Sequence, residues 1–120
     1  VKVLFVEYPK CSTCIKAKKW LEENMISFED RHIVEQNPSA AELKEWHKRS
    51  GLPLKNFFNT SGMLYRSMNL KEQISNLSEE EQYALLAKNG MLVKRPLIVA
   101  DNFVLVGFKQ AQWEEKLKEE

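Results

Sequence analysis

Both cysteines of the chain fall in one stretch, Tyr8-Pro9-Lys10-Cys11-Ser12-Thr13-Cys14, with two residues between them. The apolar run Val3-Leu4-Phe5-Val6 precedes it and a helical pattern follows. A Cys-x-x-Cys at a strand-to-helix junction is suited to thiol chemistry. Unpaired backbone N–H groups at a helix N-terminus stabilise anions, and a thiolate is an anion. Cys11, at or just before that terminus, is therefore expected to ionise easily and to act as the nucleophile. Lys10 adds positive charge beside it. Cys14 lies one turn inside, on the apolar face, and is expected to be more buried and less ionised. Its expected role is to resolve a mixed bond on Cys11 by closing a Cys11–Cys14 disulfide. The backbone amides of Ser12 and Thr13 are expected to complete an anion site around the first sulfur.

Further candidates lie later in the chain. Arg95 offers a planar fork to an oxyanion beside Cys11, or equally to a surface carboxylate. Pro96 follows it at the start of a strand, where it cannot donate a ladder hydrogen bond and shapes a tight turn. Either isomer of the Arg95-Pro96 bond is compatible with the sequence. Asn59-Thr60-Ser61-Gly62 has the composition of an anion-binding loop, although polar turn residues are usually just a turn. His32 reads as a solvated strand residue and His47 as a helix-surface residue. Lys16, Lys18 and Lys19 read as a solvated face. Zinc would need two ligands beyond the cysteines, and these two histidines have no metal spacing with them.

Composition narrows the classes. At 120 residues with 43% apolar content, the chain is expected to form one domain over residues 1–120, with a core that needs no disulfide staple. Eighteen basic and 17 acidic side chains leave a net charge of +1. Bulk charge therefore gives no case for direct nucleic-acid or membrane binding. No apolar run approaches a membrane span and no signal peptide is evident, so a cytoplasmic setting is expected. In that compartment a lone cysteine pair is redox-active or metal-binding more often than structural.

The elements that must position these residues follow from periodicity. Residues 2–7 read as a buried strand with Lys2 and Glu7 at its wet ends. A helix is expected from Ser12 to Asn24, burying Cys14, Ala17, Leu21 and Met25, with Trp20 bordering the core. Residues 26–34 form a weaker strand with Phe28, Ile33 and Val34 as its apolar content. Ser39 and Glu42 have capping-box spacing for a helix over 40–49 that ends at Gly51. Leu43 and Trp46 face inward. Leu54, Phe57 and Phe58 fall in a short turn, and a short helix is expected near 70–75. Ser78 and Glu81 cap a helix over 79–88 that buries Ala84, Leu85 and either Ala87 or Leu86. Residues 97–100 and 103–106 form a hairpin around Asp101-Asn102. A last helix over 110–118 packs Trp113 and Leu117, and its charged end frays. Strand–helix–strand followed by a hairpin implies a mixed four-stranded α/β sheet with a helical insert at about residues 39–89.

Four segments together resemble the arsenate reductase/Spx family. They are Tyr8-x-x-Cys11-Ser12-Thr13-Cys14-x-Lys16-Ala17, Phe58-Asn59-Thr60-Ser61-Gly62, Gly90-Met91-Leu92-Val93-Lys94-Arg95-Pro96-Leu97 and Val106-Gly107-Phe108. The likeness covers nearly the whole chain and is nearest to the short arsenate-reductase-like and Spx/MgsR-like members. It implies a thioredoxin-like fold. It also implies that Cys11 matches the cysteine that attacks arsenate in glutaredoxin-linked reductases, and that Arg95 matches one of three oxyanion-binding arginines. The other two positions fall at Asn59 and near Gly107, with Arg66 and Lys109 as nearby cations. Those reductases have no cysteine at the position of Cys14, whereas Spx-type regulators do and use the pair as a disulfide switch. The regulators bind the C-terminal domain of the RNA polymerase α subunit through a surface that includes a glycine near the position of Gly51.

The resulting expectation is an arsenate-reductase-like thiol oxidoreductase. Cys11 attacks, Cys14 resolves, Arg95 partners the thiolate or oxyanion, and Ser12, Thr13, Asn59 and Pro96 shape the substrate site. The expected substrate is a small oxyanion or a protein thiol or disulfide. No bound cofactor is expected, and glutathione with glutaredoxin, or thioredoxin, would supply electrons. The alternative is a redox-sensing regulator that binds the polymerase α subunit.

Overall fold

The computed structural model describes residues 2–118. Strand β1 (Val3–Glu7) leads through helix α1 (Ser12–Glu23) to a parallel strand, β2 (Phe28–His32). Strands β3 (Leu97–Val99) and β4 (Val104–Val106) form the hairpin, and β3 lies antiparallel against the other edge of β1. The sheet order is β2-β1-β3-β4. Between β2 and β3 come helices α2 (Ala40–Ser50), α3 (Met63–Ser67), α4 (Leu70–Gln73) and α5 (Glu79–Lys88). Helix α6 (Gln110–Leu117) closes the described chain. The fraying expected past Lys118 lies outside the described residues.

Alternation along the strands divides the core in two. Val3 and Phe5 face α1 and α6, where they meet Ala17, Trp20, Leu21 and Trp113. Val6 and Leu97 face the insert, where Leu43 and Trp46 of α2 and Tyr83 and Leu86 of α5 cover them. The insert is sewn back to the sheet by backbone bonds. Asn59 N–H donates to the Leu92 carbonyl at 2.7 Å, and Lys94 N–H donates to Phe57 at 2.8 Å.

Both capping boxes form. In the first, Ser39 Oγ accepts the Glu42 N–H at 3.1 Å while Glu42 accepts the Ser39 N–H at 3.0 Å. Glu42 also takes two 2.8 Å bonds from Arg31 of β2. The Arg31 guanidinium lies 5.7 Å from the Trp46 ring centre. One carboxylate thus starts α2 and anchors it to β2. Gly51 ends α2 in the left-handed region, at φ 71°.

Five local expectations are corrected. Glu7 is not a wet strand end: only 4% of it is exposed, because position 7 shares the inward face of Val3 and Phe5 under α1. Met25 is 91% exposed with φ 55°, since α1 has already ended and the chain is reversing toward β2. Val34 lies past the end of β2 and is exposed. Helix α5 buries Tyr83 and Leu86 while Ala84 points outward, a one-position rotation set by the large Tyr83 ring. His47 is half-buried, with Nδ1 2.7 Å from the Tyr83 hydroxyl, so it joins α2 to α5 instead of facing water.

Two measurements probe this frame. Arg31 lowers the Glu42 carboxyl to about 2, so its stabilising contribution is complete above the ordinary carboxylate range, near pH 4.5, and is lost as pH falls toward 2. Glu42→Ala is expected to cost about 1–2 kcal/mol in urea melts at neutral pH and almost nothing at pH ~2. Gly90 is buried where a Cβ would collide with the Ile33 carbonyl. Gly90→Ala is expected to cost about 3 kcal/mol in the same melts. Unchanged midpoints would show that the insert is not docked in this way.

Candidate functional site

Tyr8 and Pro9 end β1 at the sheet's C-terminal edge, and Cys11 N–H closes a turn onto the Tyr8 carbonyl at 3.0 Å. The Cys11 carbonyl then accepts the Ile15 N–H at 3.0 Å, the first bond of α1. Cys11 is therefore the N-cap residue, with extended backbone angles. Its thiol makes no short capping bond. It nevertheless occupies the slot from which a cap side chain faces the open N–H groups of the first turn.

The two sulfurs sit in opposite environments. Burial alone would suppress ionisation of Cys11. The Cys14 N–H and thiol, the Arg95 guanidinium and the Thr13 N–H all favour its thiolate and outweigh that burial, and its pKa lies below that of a free thiol. Cys14 is fully buried, and burial is the main cause that pushes it up to about 12, with the Cys11 thiol and charge and the Glu7 charge acting in the same direction. No disulfide joins the two cysteines in this structure.

Arg95 reaches the site from the segment before β3. Its guanidinium lies 5.3 Å from the Tyr8 ring centre, and Nη1 donates to the Met91 carbonyl at 3.3 Å. The Arg95-Pro96 peptide is cis. Pro96 is buried, and its carbonyl accepts the Gly107 N–H at 2.9 Å. Arg95 shares the lining of one groove with Cys11, and no carboxylate pairs with it among the described residues.

An open groove of about 1430 Å³ runs past Cys11. Cys11, Thr13, Asn59, Arg95 and Gly107 all line it, so the positions that the family resemblance singles out converge here. Ser12 is exposed outside the lining, and Cys14 and Pro96 lie beneath the surface. Lys109 also reaches the groove. Arg66 does not, and its Nη2 donates instead to the Ser61 carbonyl at 3.4 Å.

The charge of the groove was not visible in the sequence. Arg49, Lys55, Lys94, Arg95, Lys109 and Lys116 line it, and no Asp or Glu does among the described residues. A chain that is nearly neutral overall thus presents one locally cationic face. These residues span positions 49 to 116, so only the fold brings them together.

A second group was also missed. Glu7, Asp30 and Lys18 form a cluster outside the lining of the groove, with Lys18 Nζ 2.9 Å from Asp30. Lys18 is thus paired and not simply solvated. Burial, followed by the hydrogen bond and charge of Asp30, raises Glu7 to about 7. The alternation Val3, Phe5, Glu7 was the available signal. His32 is partly covered, lies edge-on to Tyr8 and accepts the Val34 and Glu35 N–H groups at Nδ1. Among the described residues, no helix is long and apolar enough to cross a membrane.

Comparison with known proteins places the chain in a family. The ArsC family model matches residues 6–116. The uncharacterized protein YusI of Bacillus subtilis is 56% identical over 96% of this chain and 98% of its own length. The regulatory protein MgsR of the same organism is 26% identical, covering 92% of this chain and 86% of its own length. A crystal structure of an ArsC-family-related protein from Bacteroides fragilis superposes with a TM-score of 0.92, at 57% identity, covering 96% of this chain and 97% of that one. The fold is the thioredoxin-like fold of these relatives, and the chain belongs to the ArsC family.

Proposed function

We propose that the protein is an arsenate-reductase-like thiol oxidoreductase whose physiological chemistry is thiol–disulfide exchange at Cys11 and Cys14. The observation that carries the reading is the contrast between two sulfurs one helical turn apart, one at the open N-cap of α1 and the other in the core. Cys11 is the easily ionised, partly exposed one, and Cys14 is the buried one held as thiol. The Cys11 thiolate attacks one sulfur of a disulfide RS–SR and expels RS⁻, leaving Cys11 in a mixed disulfide. Cys14 loses its proton, attacks the Cys11 sulfur and expels the second RS⁻. The two protein thiols supply the two electrons that reduce the substrate, and a Cys11–Cys14 disulfide remains. Glutathione with glutaredoxin, or thioredoxin, then returns it to the dithiol. No bound cofactor takes part.

Arg95 favours the thiolate before attack and a leaving anion after it. The cationic, carboxylate-free lining favours an anionic substrate, whether an oxyanion, a glutathione disulfide or an acidic protein segment. Arsenate is the less favoured of these. Only Arg95 stands where the family resemblance implies an arginine trio, while Asn59 and Gly107 occupy the other positions and Cys14 adds a second thiol.

A second reading has its own support. The relative MgsR is named as a regulatory protein. Gly51 stands exposed with open space around it, between Ser50 and Leu52, which line the groove. In this reading the same disulfide switches a surface that binds the RNA polymerase α subunit.

Steady-state reduction of oxidised glutathione, and arsenate-dependent oxidation of glutathione with glutaredoxin, test the first reading. Cys11→Ser is expected to abolish turnover, and Cys14→Ser to accumulate the mixed disulfide. Arg95→Ala is expected to slow the attack about tenfold or more, the loss of one hydrogen bond to a charged group. Wild type and Cys11→Ser equally inactive with both substrates would sink the enzyme reading. Retention on the polymerase α C-terminal domain in one redox state would favour the regulator, and no retention in either state would count against it.

A further inference from the structure

The groove beside Cys11 follows the outer edge of the sheet. β4 is the last strand in the order β2-β1-β3-β4, and residues 102–108 all line the groove. Leu97 pairs with both Val6 and Val106, so the C-terminal end of β4 lies at the same end of the sheet as Tyr8 and Cys11. Asn102 therefore marks the far end, about 16 Å along the strand from Gly107. Along β4, Val104 and Val106 join the core under α2, and Leu105 joins the core under α6. The groove thus lies between those two helices, with the outer edge of β4 as its floor.

Cations stand along its whole length. At the Cys11 end, Arg95 precedes Pro96, whose carbonyl accepts the Gly107 N–H at 2.9 Å. A Cβ on Gly107 would come to 3.5 Å from Lys94 Cε, so the Lys94 stem lies across this glycine. Lys109 follows as the N-cap of α6. The helix then runs back beside β4, and Lys116 Nζ lies 5.8 Å from the ring centre of Phe103 at the far end. Lys109, Gln112 and Lys116 share the face of α6 that lines the groove, with roughly 10 Å of helix between the two lysines. On the opposite wall Arg49 Nη1 donates to the Ala100 carbonyl at 2.6 Å, again at the far end. Acidic residues are nearly as numerous as basic ones in the chain, yet no described one lines the groove.

We propose that the substrate is the disulfide of another protein, presented by an extended acidic segment that lies along β4 with its cysteine at Cys11. This deepens the exchange reading above and rests on it. Smaller anions fit the groove less well. Its volume of about 1430 Å³ exceeds the ~300–1,000 Å³ of small-molecule sites. A tetrahedral oxyanion needs only the cations at the Cys11 end. Glutathione extends one residue to either side of its cysteine, whereas the length of the floor takes about five extended residues. Met63, Met91 and Phe103 in the same lining suit the side chains of a polypeptide. An outer strand accepts an extended partner by main-chain pairing, and the lysines select one of opposite charge. A second copy of this chain would bring its own cationic edge and be repelled.

Two synthetic peptides test this, each carrying one cysteine in a mixed disulfide with thionitrobenzoate. One has five Asp or Glu residues on each side of the cysteine, and the other has Asn and Gln in their place. Whichever sulfur Cys11 attacks first, closure of the Cys11–Cys14 disulfide releases the peptide thiol and one coloured thionitrobenzoate. At low salt the wild type is expected to react about tenfold faster with the acidic peptide, and the ratio should fall toward one at ~1 M salt. In Lys109→Ser/Lys116→Gln the ratio should fall about fivefold. Lys48→Ser/Lys71→Ser removes the same charge outside the groove and should keep the wild-type ratio. Equal wild-type rates with the two peptides would overturn the proposal. So would an unchanged ratio in the groove variant, or an equal loss in both double variants. If the wild type releases thionitrobenzoate from neither peptide faster than Cys11→Ser does, the exchange reading itself fails, and this inference with it.

Discussion

The N–H groups at the start of α1 act on Cys11 because of where β1 stops. Tyr8 and Pro9 end the strand at the sheet's edge, and a single turn delivers Cys11 into the N-cap slot. There a side chain is half out of the helix, open to substrate and faced by unpaired donors. One turn later the same helix carries Cys14 into the core. A helical periodicity of 3.6 residues and a sheet edge thus make two identical thiols chemically different. The remaining parts of the site, Arg95 and the groove, are arranged around that difference.

Arg95 depends on packing far from the sulfur. The insert's central segment is bonded back to residues 92–94, and Gly90 is small enough to pass over Ile33. Those contacts set the approach of the chain to β3, and hence where Arg95 meets Tyr8 and Cys11. The insert therefore shapes the groove beside Cys11 as well as covering one face of the sheet. It also contributes Arg49, Lys55 and Asn59 to the lining, while the last helix contributes Lys109 at its N-cap and Lys116 within it.

Much of this was legible in the chain. The Cys-x-x-Cys, the two capping boxes, the hairpin around Asp101-Asn102 and the helical insert rest on local spacing, and local spacing survives folding. What escaped depends on partners distant in sequence. Glu7 was read as a wet end because its own polarity outweighed its place in the Val3-Phe5-Glu7 alternation. His47 was read as exposed because Tyr83, its partner, is 36 residues away. Met25 continued the helical stripe on paper, but the helix had already ended, which apolar periodicity alone does not register. The cationic groove was hidden by a net charge near zero, since a sum carries no information about where charges gather.

The account turns on the claim that the start of α1, together with Arg95, makes Cys11 an activated thiolate. Its most direct test is titration of Cys14→Ser, which leaves one thiol, followed through thiolate ultraviolet absorbance. The predicted result is a single transition below the free-cysteine value of ~8.5. A transition at or above that value would contradict the claim and remove the basis for assigning Cys11 as the attacking sulfur.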